Sequence, residues 1–516
     1  MRTLFVLSLY MYLFPATVSP AAAVEAPANL IALPQTITTN SVILWWEKPS
    51  RDDSIRYYNI YEKENLIGTT SRGNFKVDNL SAHQSYQFSV RSKDHRGDLS
   101  PACGSLRVKT KPQVARINVV DFGATGDDST LNTIAIQNAI DASPPGGTVY
   151  IPPGIYKSGP LWLKSDMTFK LAKHAVLKAV QDIEAYYPLI NTRYAGEEKQ
   201  TFPALLNAGF ISKNRQPTAI SRLTICGSGT IDAGGAKLGK AQWKREGIWK
   251  RGRSLLIMCA DQVCIEGLTF INAPNWNIHL IYSRGISVHG IKVDNVHVIK
   301  NADGIDFSSC ENGYVLNSYF NTEDDCIVLK SGINAEGVNI GKPTRNIHIS
   351  DCTTFHGHGG VVIGSDMSGG IEDIFIRDCR FYGTWNGIRI KSARQRGGYV
   401  RNIRVKNVSM SNMIYKAITI NMDYTAYDSG DAAALPPVYQ DLYFENIFCD
   451  GAQQAIFLQG LNDSYIENIR FKNVVITNSE KGVFAKFCRH IRFINTIIND
   501  SSGPFEIERS ENVECH

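Results

Sequence analysis

Long apolar runs are absent from this 516-residue sequence beyond its first 23 residues. A helix that crosses a membrane needs about 18 or more consecutive apolar residues, so this part of the sequence contains no candidate for one. The composition, with 43% hydrophobic and 20% charged residues, is that of an ordinary globular protein and not of a disordered chain. We therefore expect a soluble protein with no membrane partner.

Zinc-type cysteine spacing and a strong charge bias are missing as well. None of the 11 cysteines stands in a Cys-x-x-Cys pair, which removes the usual pattern of a structural zinc site. Because 11 is odd, at least one cysteine is unpaired or bridges to another chain. Cys352 and Cys379 follow similar strands, and we interpret them as buried small residues stacked in one column. The formal charge of only +5 argues weakly for a polyanionic partner, so a locally basic groove matters more.

The first 23 residues have the order of a secretory signal. Arg2 precedes an apolar run over residues 4–13, and small residues at 19–23 offer a cleavage site. We predict that residues 1–23 are removed, that the mature chain starts near Val24, and that the product is secreted or periplasmic.

Residues 25–112 are predicted to form a separate domain. Short alternating runs, separated by polar turns, predict seven strands. Trp45 or Trp46 in an early strand and Tyr86 in a later one resemble the core tryptophan and the tyrosine corner of a fibronectin type III domain. This resemblance implies a small β-sandwich with a linker at its end.

The rest of the chain, residues 115–516, is predicted to be a parallel β-helix. From about residue 220, a polar pair followed by an apolar-x-apolar run recurs at intervals close to one coil, and a second strand set alternates with it. The strand, helix, strand pattern of residues 117–156 resembles the N-terminal cap of right-handed parallel β-helix proteins that act on polysaccharides. The expected fold is therefore all-β, a right-handed parallel β-helix (a pectin-lyase-like solenoid) preceded by the sandwich.

Two acidic segments in this region point to chemistry. The segments that begin at Asp303 and Asp325 align with an offset of 22 residues, which suits one coil. Since stacked coils hold like positions about 4.8 Å apart, the two carboxylates are expected to be neighbours, with Asp324 beside them. Strict alternation turns both inward, and they reach the outer face only if the chain bends before each strand, as Gly304 permits. Carboxylates this close perturb one another's ionisation, which is typical of acid and base catalysis.

Four short motifs, in this order, resemble the active site of glycoside hydrolase family 28, the polygalacturonases. They are Asn301-Ala302-Asp303, Asp324-Asp325, Gly357-His358-Gly359 and Arg389-Ile390-Lys391. The one departure from the family pattern is Ala302, which replaces the usual threonine and removes no ionisable group. The family also has a tyrosine about one coil further on, and we assign it to Tyr424.

The resemblance implies an inverting glycoside hydrolase that cleaves the α-1,4-galacturonosidic bonds of polygalacturonic acid in pectin. In such a reaction one carboxyl group protonates the leaving oxygen while another activates water, across a separation of about 6.5–9.5 Å. By resemblance Asp324 is the acid, Asp303 and Asp325 hold the water, and His358 orients a carboxylate. We expect the two neighbouring anions to raise the pKa of Asp324.

The same resemblance assigns substrate binding to three further side chains. Arg389 and Lys391 suit the carboxylate of a uronic acid, the first by a two-point fork and the second as a point charge, and Tyr424 accompanies them. The expected partner is an acidic polysaccharide, with no nucleic acid. No cofactor and no metal are expected, and the protein is expected to be a monomer.

Several alternatives stay open at this stage. A pectate lyase would bind Ca²⁺, which prefers six to eight oxygen ligands, more than this site offers. A hydrolase of rhamnogalacturonan or xylogalacturonan, or a non-catalytic carbohydrate-binding protein, would keep the same fold. Asp306 either contacts substrate or has a structural role, while Trp276 and His279 are expected to pack in the core. The sandwich resembles that of bacterial exopolygalacturonases, and an insertion at residues 181–218 is placed to close one end of the groove; both favour exo action.

Overall fold

The computed structural model describes residues 23–50, 52–296, 299–425, 430–500, 503 and 505–516. Nearly all of the predicted signal, residues 1–22, therefore lies outside the described residues. Within the described part of the chain no helix has the length and apolar character needed to span a membrane. The chain divides into two compact units, one holding the sandwich and one the solenoid. The predicted boundary between residues 112 and 115 stays a prediction.

The first unit contains seven strands in two sheets, as predicted. The strands are β1 (Ala28–Ala32), β2 (Val42–Glu47), β3 (Ile55–Glu62), β4 (Asn65–Thr70), β5 (Asn74–Val77), β6 (Ser85–Asp94) and β7 (Cys103–Lys109). One sheet has the order β1-β2-β5 and the other β4-β3-β6-β7. Trp45 and Trp46 are both buried, and the Trp46 ring lies 5.5 Å from the ring of Tyr58 in the core.

The second unit is a parallel β-helix with short helices attached. Its first half contains β8 (Arg116–Asn118), β9 (Asp127–Leu131), β10 (Thr148–Ile151), β11 (Gly154–Ser158), β12 (Leu161–Leu163), β13 (Met167–Leu171), β14 (Ala175–Ala179), β15 (Ile190–Tyr194), β16 (Glu197–Thr201), β17 (Leu206–Gly209), β18 (Ile220–Gly227), β19 (Thr230–Asp232), β20 (Leu255–Met258), β21 (Ala260–Glu266), β22 (Thr269–Ile271), β23 (Ile278–Ile281), β24 (Arg284–His289) and β25 (Lys292–Asp294).

Its second half contains β26 (Ile305–Ser308), β27 (Glu311–Leu316), β28 (Tyr319–Thr322), β29 (Ile327–Lys330), β30 (Thr344–Ser350), β31 (Thr353–His356), β32 (Val361–Gly364), β33 (Ile371–Arg377), β34 (Arg380–Tyr382), β35 (Asn386–Lys391), β36 (Tyr399–Ser411), β37 (Lys416–Asn421), β38 (Val438–Gln459), β39 (Ile466–Lys486), β40 (Cys488–Asp500), β41 (Phe505–Glu508) and β42 (Glu511–Cys515). The α-helices are α1 (Thr133–Ala142), α2 (Gly235–Glu246) and α3 (Asn334–Ile340).

Each coil contributes one strand to each of three columns, because strands that follow one another by three positions pair in parallel. One column, which we call the site sheet, contains β17, β20, β23, β26, β29, β32, β35 and β37, followed by the last segments of β38 and β39 and by β41. Its inward positions are aliphatic and fully buried in coil after coil: Ile278, Ile305, Ile327, Val361, Ile388, Ile418, Ile456 and Val483.

The repeats seen in the sequence set the stacking of the later coils. The five polar pairs predicted to be equivalent begin at Arg345, Glu372, Arg401, Gln440 and Glu467, and each residue pairs with the next. Inside, Phe444, Phe471 and Phe493 stack with ring centroids 5.0 Å apart, which is about the spacing of hydrogen-bonded strands. The prediction of a coil-by-coil repeat is confirmed.

Asparagines stabilise one corner of the coils. Asn407, Asn446 and Asn473 all have a positive φ near 55°, a conformation that Asn tolerates better than most residues. Their side-chain amides form a ladder, with Asn446 donating to Asn407 at 3.0 Å and Asn473 donating to Asn446 at 2.9 Å. This stacking satisfies polar groups at a turn and holds successive coils in register.

The cap and the cysteines agree with the sequence predictions. Helix α1 follows β8 and β9 and buries Ile136 and Ile140 against the first coils, whereas the apolar side chain of Ile134 is exposed. Cys352 and Cys379 both have free thiols. Cys352 and Cys379 are buried and precede strands that pair in register, which confirms their stacking in one column.

Candidate active site

Asp303 and Asp325 lie immediately before two neighbouring strands of the site sheet. The register of β26 on β29 places them at equivalent positions in successive coils, and their side chains are only 3% and 2% exposed. A Cβ at Gly304 would overlap the carbonyl oxygen of Cys326, so glycine permits the close approach of backbone at this bend. Asp325 does not point inward, since its Oδ2 accepts a hydrogen bond from Nζ of Lys391 at 2.8 Å.

Asp324 and His358 form the second part of the site. His358 Nδ1 lies 2.9 Å from Oδ1 of Asp324, and the backbone N–H of His358 donates to the Asp324 carbonyl at 3.2 Å. Gly357 adopts a positive φ of 76°, which turns the loop so that the imidazole meets the carboxylate. Asn301 Nδ2 approaches Oδ2 of Asp324 at 3.4 Å. The structure thus places His358 on the carboxylate, as the sequence predicts.

Two cations and a tyrosine complete the cluster. Arg389 and Lys391 alternate with inward isoleucines on β35, and both approach Asp325, with Nη1 of Arg389 3.8 Å from its Oδ1. The Tyr424 ring centroid lies 5.3 Å from Cζ of Arg389 and 5.5 Å from Nζ of Lys391. All seven side chains singled out in the sequence therefore gather at one face. The pairing of both cations with Asp325 was not foreseen.

The expected rise in the pKa of Asp324 is wrong. Burial does raise the pKa of this carboxyl group, but the hydrogen bond and the positive charge of His358 outweigh burial and lower it below its ordinary value. Burial alone would lower the pKa of His358, yet its bond to Asp324 raises the pKa overall. The contact therefore favours an ionised Asp324 beside a protonated His358.

The pKa of Asp303, unlike that of Asp324, is raised. Burial is the largest cause, and the charges of Asp306 and Asp324 add to it, so the pKa lies well above its ordinary value. Its Oδ1 is buried and accepts no hydrogen bond, and an ion in that position would be poorly solvated. Burial and neighbouring charge therefore favour the neutral form of Asp303, and the bond to Asp324 favours the protonated form of His358.

Lys330 and Trp385 are site residues that sequence reasoning missed. Lys330 is buried on the outer face of β29, 3.6 Å from Oδ1 of Asp306 and 3.8 Å from Oδ2 of Asp366. Burial lowers the pKa of Lys330, but the carboxylates outweigh it and raise the pKa. The Trp385 ring lies 3.9 Å from the ring of His358. The alternation of inward and outward residues along β29 places Lys330 on the outer face. The pairing of β32 with β35 makes Trp385 the equivalent of His358 in the next coil.

Asp306 belongs to the buried base of the site. Its side chain is 0% exposed, which favours the structural role over direct substrate contact. Trp276 lies beneath Lys330 with a ring-to-Nζ distance of 4.6 Å. His279 is fully buried and its Nε2 lies 2.8 Å from Oγ of Ser308. Trp276 and His279 are thus buried, as expected, but their contacts are with Lys330 and Ser308 at the base of the site and not with the aliphatic core.

Asp306 should make the stability of the protein depend on pH. Burial is the main cause that raises its pKa from 3.8 to about 7. Because the folded pKa exceeds the unfolded one, this group favours folding below pH 4, and the contribution is lost as pH rises from about 4 to 7. We predict that in Asp306→Asn the free energy of unfolding falls by a few kcal/mol less between pH 4 and pH 7 than in the parent protein. Urea unfolding at each pH measures this free energy.

The matched control for this measurement is Asp261→Asn, which removes a carboxylate that pairs with Arg284 at a partly exposed position. It should leave the slope between pH 4 and 7 as in the parent protein. An equal slope in Asp306→Asn and the parent would show that Asp306 titrates normally.

A hairpin covers the coils that precede the carboxylates. It consists of β15 and β16 and lies within the insertion predicted at residues 181–218. Arg193 is 1% exposed and donates from Nη1 to Oγ of Ser309 at 2.9 Å, while Tyr194 donates to Oδ1 of Asn275 at 2.6 Å. Arg253 donates to the carbonyl oxygen of Arg193 at 2.9 Å. The hairpin thus contacts the site sheet at Asn275, one coil before Asp303, and at Ser309, at the end of the strand that follows Asp303.

The donor set at the site does not suit Ca²⁺. Asp324, Asp325 and His358 bring one ligand atom each within 4.8 Å of one another. However, Ca²⁺ prefers six to eight oxygens, and here one of the three donors is a nitrogen. Lys391 already occupies one oxygen of Asp325. The arrangement favours proton transfer between carboxyl groups over calcium binding.

Three carboxylates, a histidine and two cations on the outer face of a parallel β-helix define a class of protein, the β-helix glycoside hydrolases. The chain belongs to the glycosyl hydrolases family 28, because the model of that family matches residues 198–496, more than half of the chain. Residues 116–200 match a family described as rhamnogalacturonase A/epimerase, pectate lyase-like, and residues 25–102 match the fibronectin type III domain. The family and fold predicted from the sequence are confirmed.

Individual relatives cover most of the chain. The chain is 28% identical to an exo-poly-alpha-D-galacturonosidase of Dickeya chrysanthemi, over 87% of this chain and 86% of the relative. It is 33% identical to a probable polygalacturonase of Vitis vinifera, over 70% of this chain and 74% of that protein. Among solved structures, the family 28 exopolygalacturonase of Yersinia enterocolitica superposes with a TM-score of 0.90 at 26% identity, covering 95% of this chain and 99% of that one.

Proposed function

We propose that this hydrolase cleaves α-1,4-galacturonosidic bonds of polygalacturonic acid with inversion, by releasing short products from one end of the chain. The observation that carries the substrate class is the pair Arg389 and Lys391, which stand on the same face as the carboxylates and within reach of Asp325. A uronate carboxylate that enters the groove meets a guanidinium fork and an ammonium. The names of the relatives from Dickeya and Yersinia support the same substrate.

Asp324 and His358 act as the proton donor in this proposal. The pair carries one proton, which rests on Nδ1 of His358 in the free protein and shifts to Asp324 as the groove fills and loses water. Asp324 then protonates the glycosidic oxygen as the bond from that oxygen to the anomeric carbon breaks. Trp385 packs against His358 and holds the imidazole in place.

Asp325 and Asp303 hold the attacking water. Asp325, whose charge is balanced by Lys391 and Arg389, accepts the proton that the water loses as its oxygen bonds to the anomeric carbon. Asp303, with its raised pKa, keeps a proton and donates a hydrogen bond to the same water. Attack opposite to the leaving oxygen inverts the anomeric centre.

Exo action is supported by the covering hairpin. A polymer that crosses the whole groove needs open space on both sides of the scissile bond, yet Tyr194 packs on Asn275, one coil before Asp303, and Arg193 packs on Ser309, at the end of the strand that follows Asp303. The substrate end therefore stops near the carboxylates, and the rest of the polymer leaves over the later coils. Release of monomer or dimer follows from this geometry.

Loosening the hairpin should change the products. Arg193→Ala removes the hydrogen bond to Ser309 and the contact of the guanidinium with Tyr282, 5.2 Å from its ring. We predict that this variant releases longer oligomers from polygalacturonate and lowers its viscosity faster per bond cleaved than the parent. Lys199→Gln, which alters an ion pair with Glu197 on the same hairpin, should keep the parent products. An unchanged product pattern in a hairpin that has become sensitive to protease would contradict exo action by closure.

Export and assembly are also part of the proposal. The leader-like residues 1–23 and a polymer substrate too large to enter a cell support action outside the cytoplasm. One chain contributes every residue of the site, so we propose a monomer.

The test of the function is product analysis. The protein is incubated with polygalacturonate in excess chelator, and products are followed by chromatography and proton NMR. Saturated monomer or dimer from the start, with inverted anomers, is expected. A ladder of oligomers would make the enzyme endo-acting, and unsaturated products that require Ca²⁺ would identify a lyase. Cleavage of rhamnogalacturonan alone would move the substrate to another pectin backbone.

A further inference from the structure

The outer face of the site sheet continues beyond the carboxylates, and its residue types change. Asp303 and Asp325 each stand two residues before an inward residue of the site sheet, Ile305 and Ile327. Because these inward residues pair in register from coil to coil, the position two residues before them also recurs once per coil. In the following coils this position is occupied by Gly359, Asn386, Lys416, Gln454 and Lys481. The row therefore changes from acidic to basic along the groove, away from the covering hairpin.

Lys416 lies in a positively charged environment. It is half-buried, and its Nζ lies 4.7 Å from the ring centroid of Phe457. Burial lowers its pKa, and the charges of Arg389 and Lys481 lower it further. Neither Lys416 nor Lys481 forms an ion pair within the part of the chain that the structure describes. The repulsion between neighbouring positive charges that have no carboxylate partner is reduced when an anion binds between them.

The lysine stem is held in position by stacked aromatic rings. Phe457 and Phe484 stand at equivalent places in successive coils, with ring centroids 5.2 Å apart and planes 14° from parallel. The Lys416 ammonium lies over the ring of Phe457, and Phe484 stacks on Phe457 from the next coil. A cation–π interaction of this kind attracts the ammonium group to the ring and so restricts its position.

We propose that Lys416 and Lys481 form a leaving-side subsite for the carboxylates of an oligogalacturonate chain. This inference rests on the proposed function, because the hairpin covers the other end of the site sheet and leaves the later coils to hold the rest of the polymer. Lys416 lies three coils beyond Asp325, which is about 14 Å at the spacing of hydrogen-bonded strands. Lys481 lies two coils beyond Lys416, which is about 10 Å more. A uronate polymer that follows the coils carries carboxylates over that distance, whereas a dimer cut at Asp324 does not reach Lys416.

The test compares substrates of different length. Digalacturonate and pentagalacturonate are each supplied to the parent protein and to Lys416→Gln, and kcat/KM is measured at low and high salt. If the parent releases dimers and leaves digalacturonate uncut, trigalacturonate replaces the dimer as the short substrate in every comparison. We expect the variant to lose about tenfold in kcat/KM on the pentamer, as one charge-assisted contact disappears, and to match the parent on the dimer. The preference of the parent for the pentamer should weaken in high salt. Activity on the dimer shows that the variant is folded.

Lys170→Gln is the matched control, since Lys170 is an exposed lysine on β13, outside the site sheet. It should keep both rates. An equal loss on dimer and pentamer, or no loss on either, would overturn the subsite while leaving the hydrolase intact. If the parent protein cleaves neither substrate, the proposed function itself fails, and that outcome is distinct from a failed subsite.

Discussion

Asp324→Asn is expected to lower kcat on polygalacturonate by about 10³-fold or more, the range that a general acid supplies. The replacement keeps the shape of the side chain but cannot deliver a proton to the leaving oxygen. Asn301 remains beside it, and the fold should be unaffected because the site sheet is held by its inward isoleucines.

A second measurement on the same variant tests the proton-carrying pair without reference to activity. Asp324 raises the pKa of His358, so this pKa should fall in Asp324→Asn when followed by NMR of the imidazole. The control Glu323→Gln removes a charge one residue away and should leave both kcat and the His358 titration near those of the parent. If Asp324→Asn kept its rate, the acid would be Asp303, whose pKa is raised by burial and by neighbouring carboxylates.

Lys391→Gln is expected to lower kcat/KM on polygalacturonate by about 100-fold, since a hydrogen bond between charged groups contributes about 3 kcal/mol. Two effects combine here. The substrate carboxylate loses an ammonium, and buried Asp325 loses its nearest cation, which leaves Arg389 at 3.8 Å and the more distant charges of Lys330 and His358. Breaking a buried ion pair by removing one partner is costly for this reason.

Substrate chemistry separates the two effects of Lys391. On a substrate whose carboxyl groups are methyl esters, the parent has no charge to recognise, so the difference between parent and Lys391→Gln should shrink. Lys391→Arg should recover part of the rate, because it restores the charge but not the point geometry. An equal loss on the acid and on the ester would mean that Lys391 acts only through Asp325.

Sequence periodicity placed Asp303 beside Asp325, and the resemblance to glycoside hydrolase family 28 supplied the other residues of the site. Like positions in a β-helix recur every coil, so the alignment of Asp303 with Asp325 predicted their neighbourhood, and the register of β26 on β29 bears this out. The same reasoning, extended by one coil from His358, leads to Trp385, and alternation along β29 leads to Lys330. These contacts were accessible from the sequence because each depends on local pattern and on a repeat.

Other features depend on groups that are distant in sequence. The pKa of Asp324 was predicted to rise, but it falls. Its direction depends on the close contact with His358, which lowers the pKa more than burial raises it. The closure of the groove depends on Arg193 reaching Ser309, residues far apart along the chain. No periodic pattern contains either fact.

The sequence by itself determined the two-domain arrangement of fold types, the family and the set of residues that meet at the site, because coil repeats and motif order are local properties. Only the tertiary structure decided which group carries the proton, which end of the groove is covered, and that the basic row of Lys416 and Lys481 follows the acidic one. The reason is physical: charge interactions and burial act through space, and their balance is set by distances that only the folded chain defines.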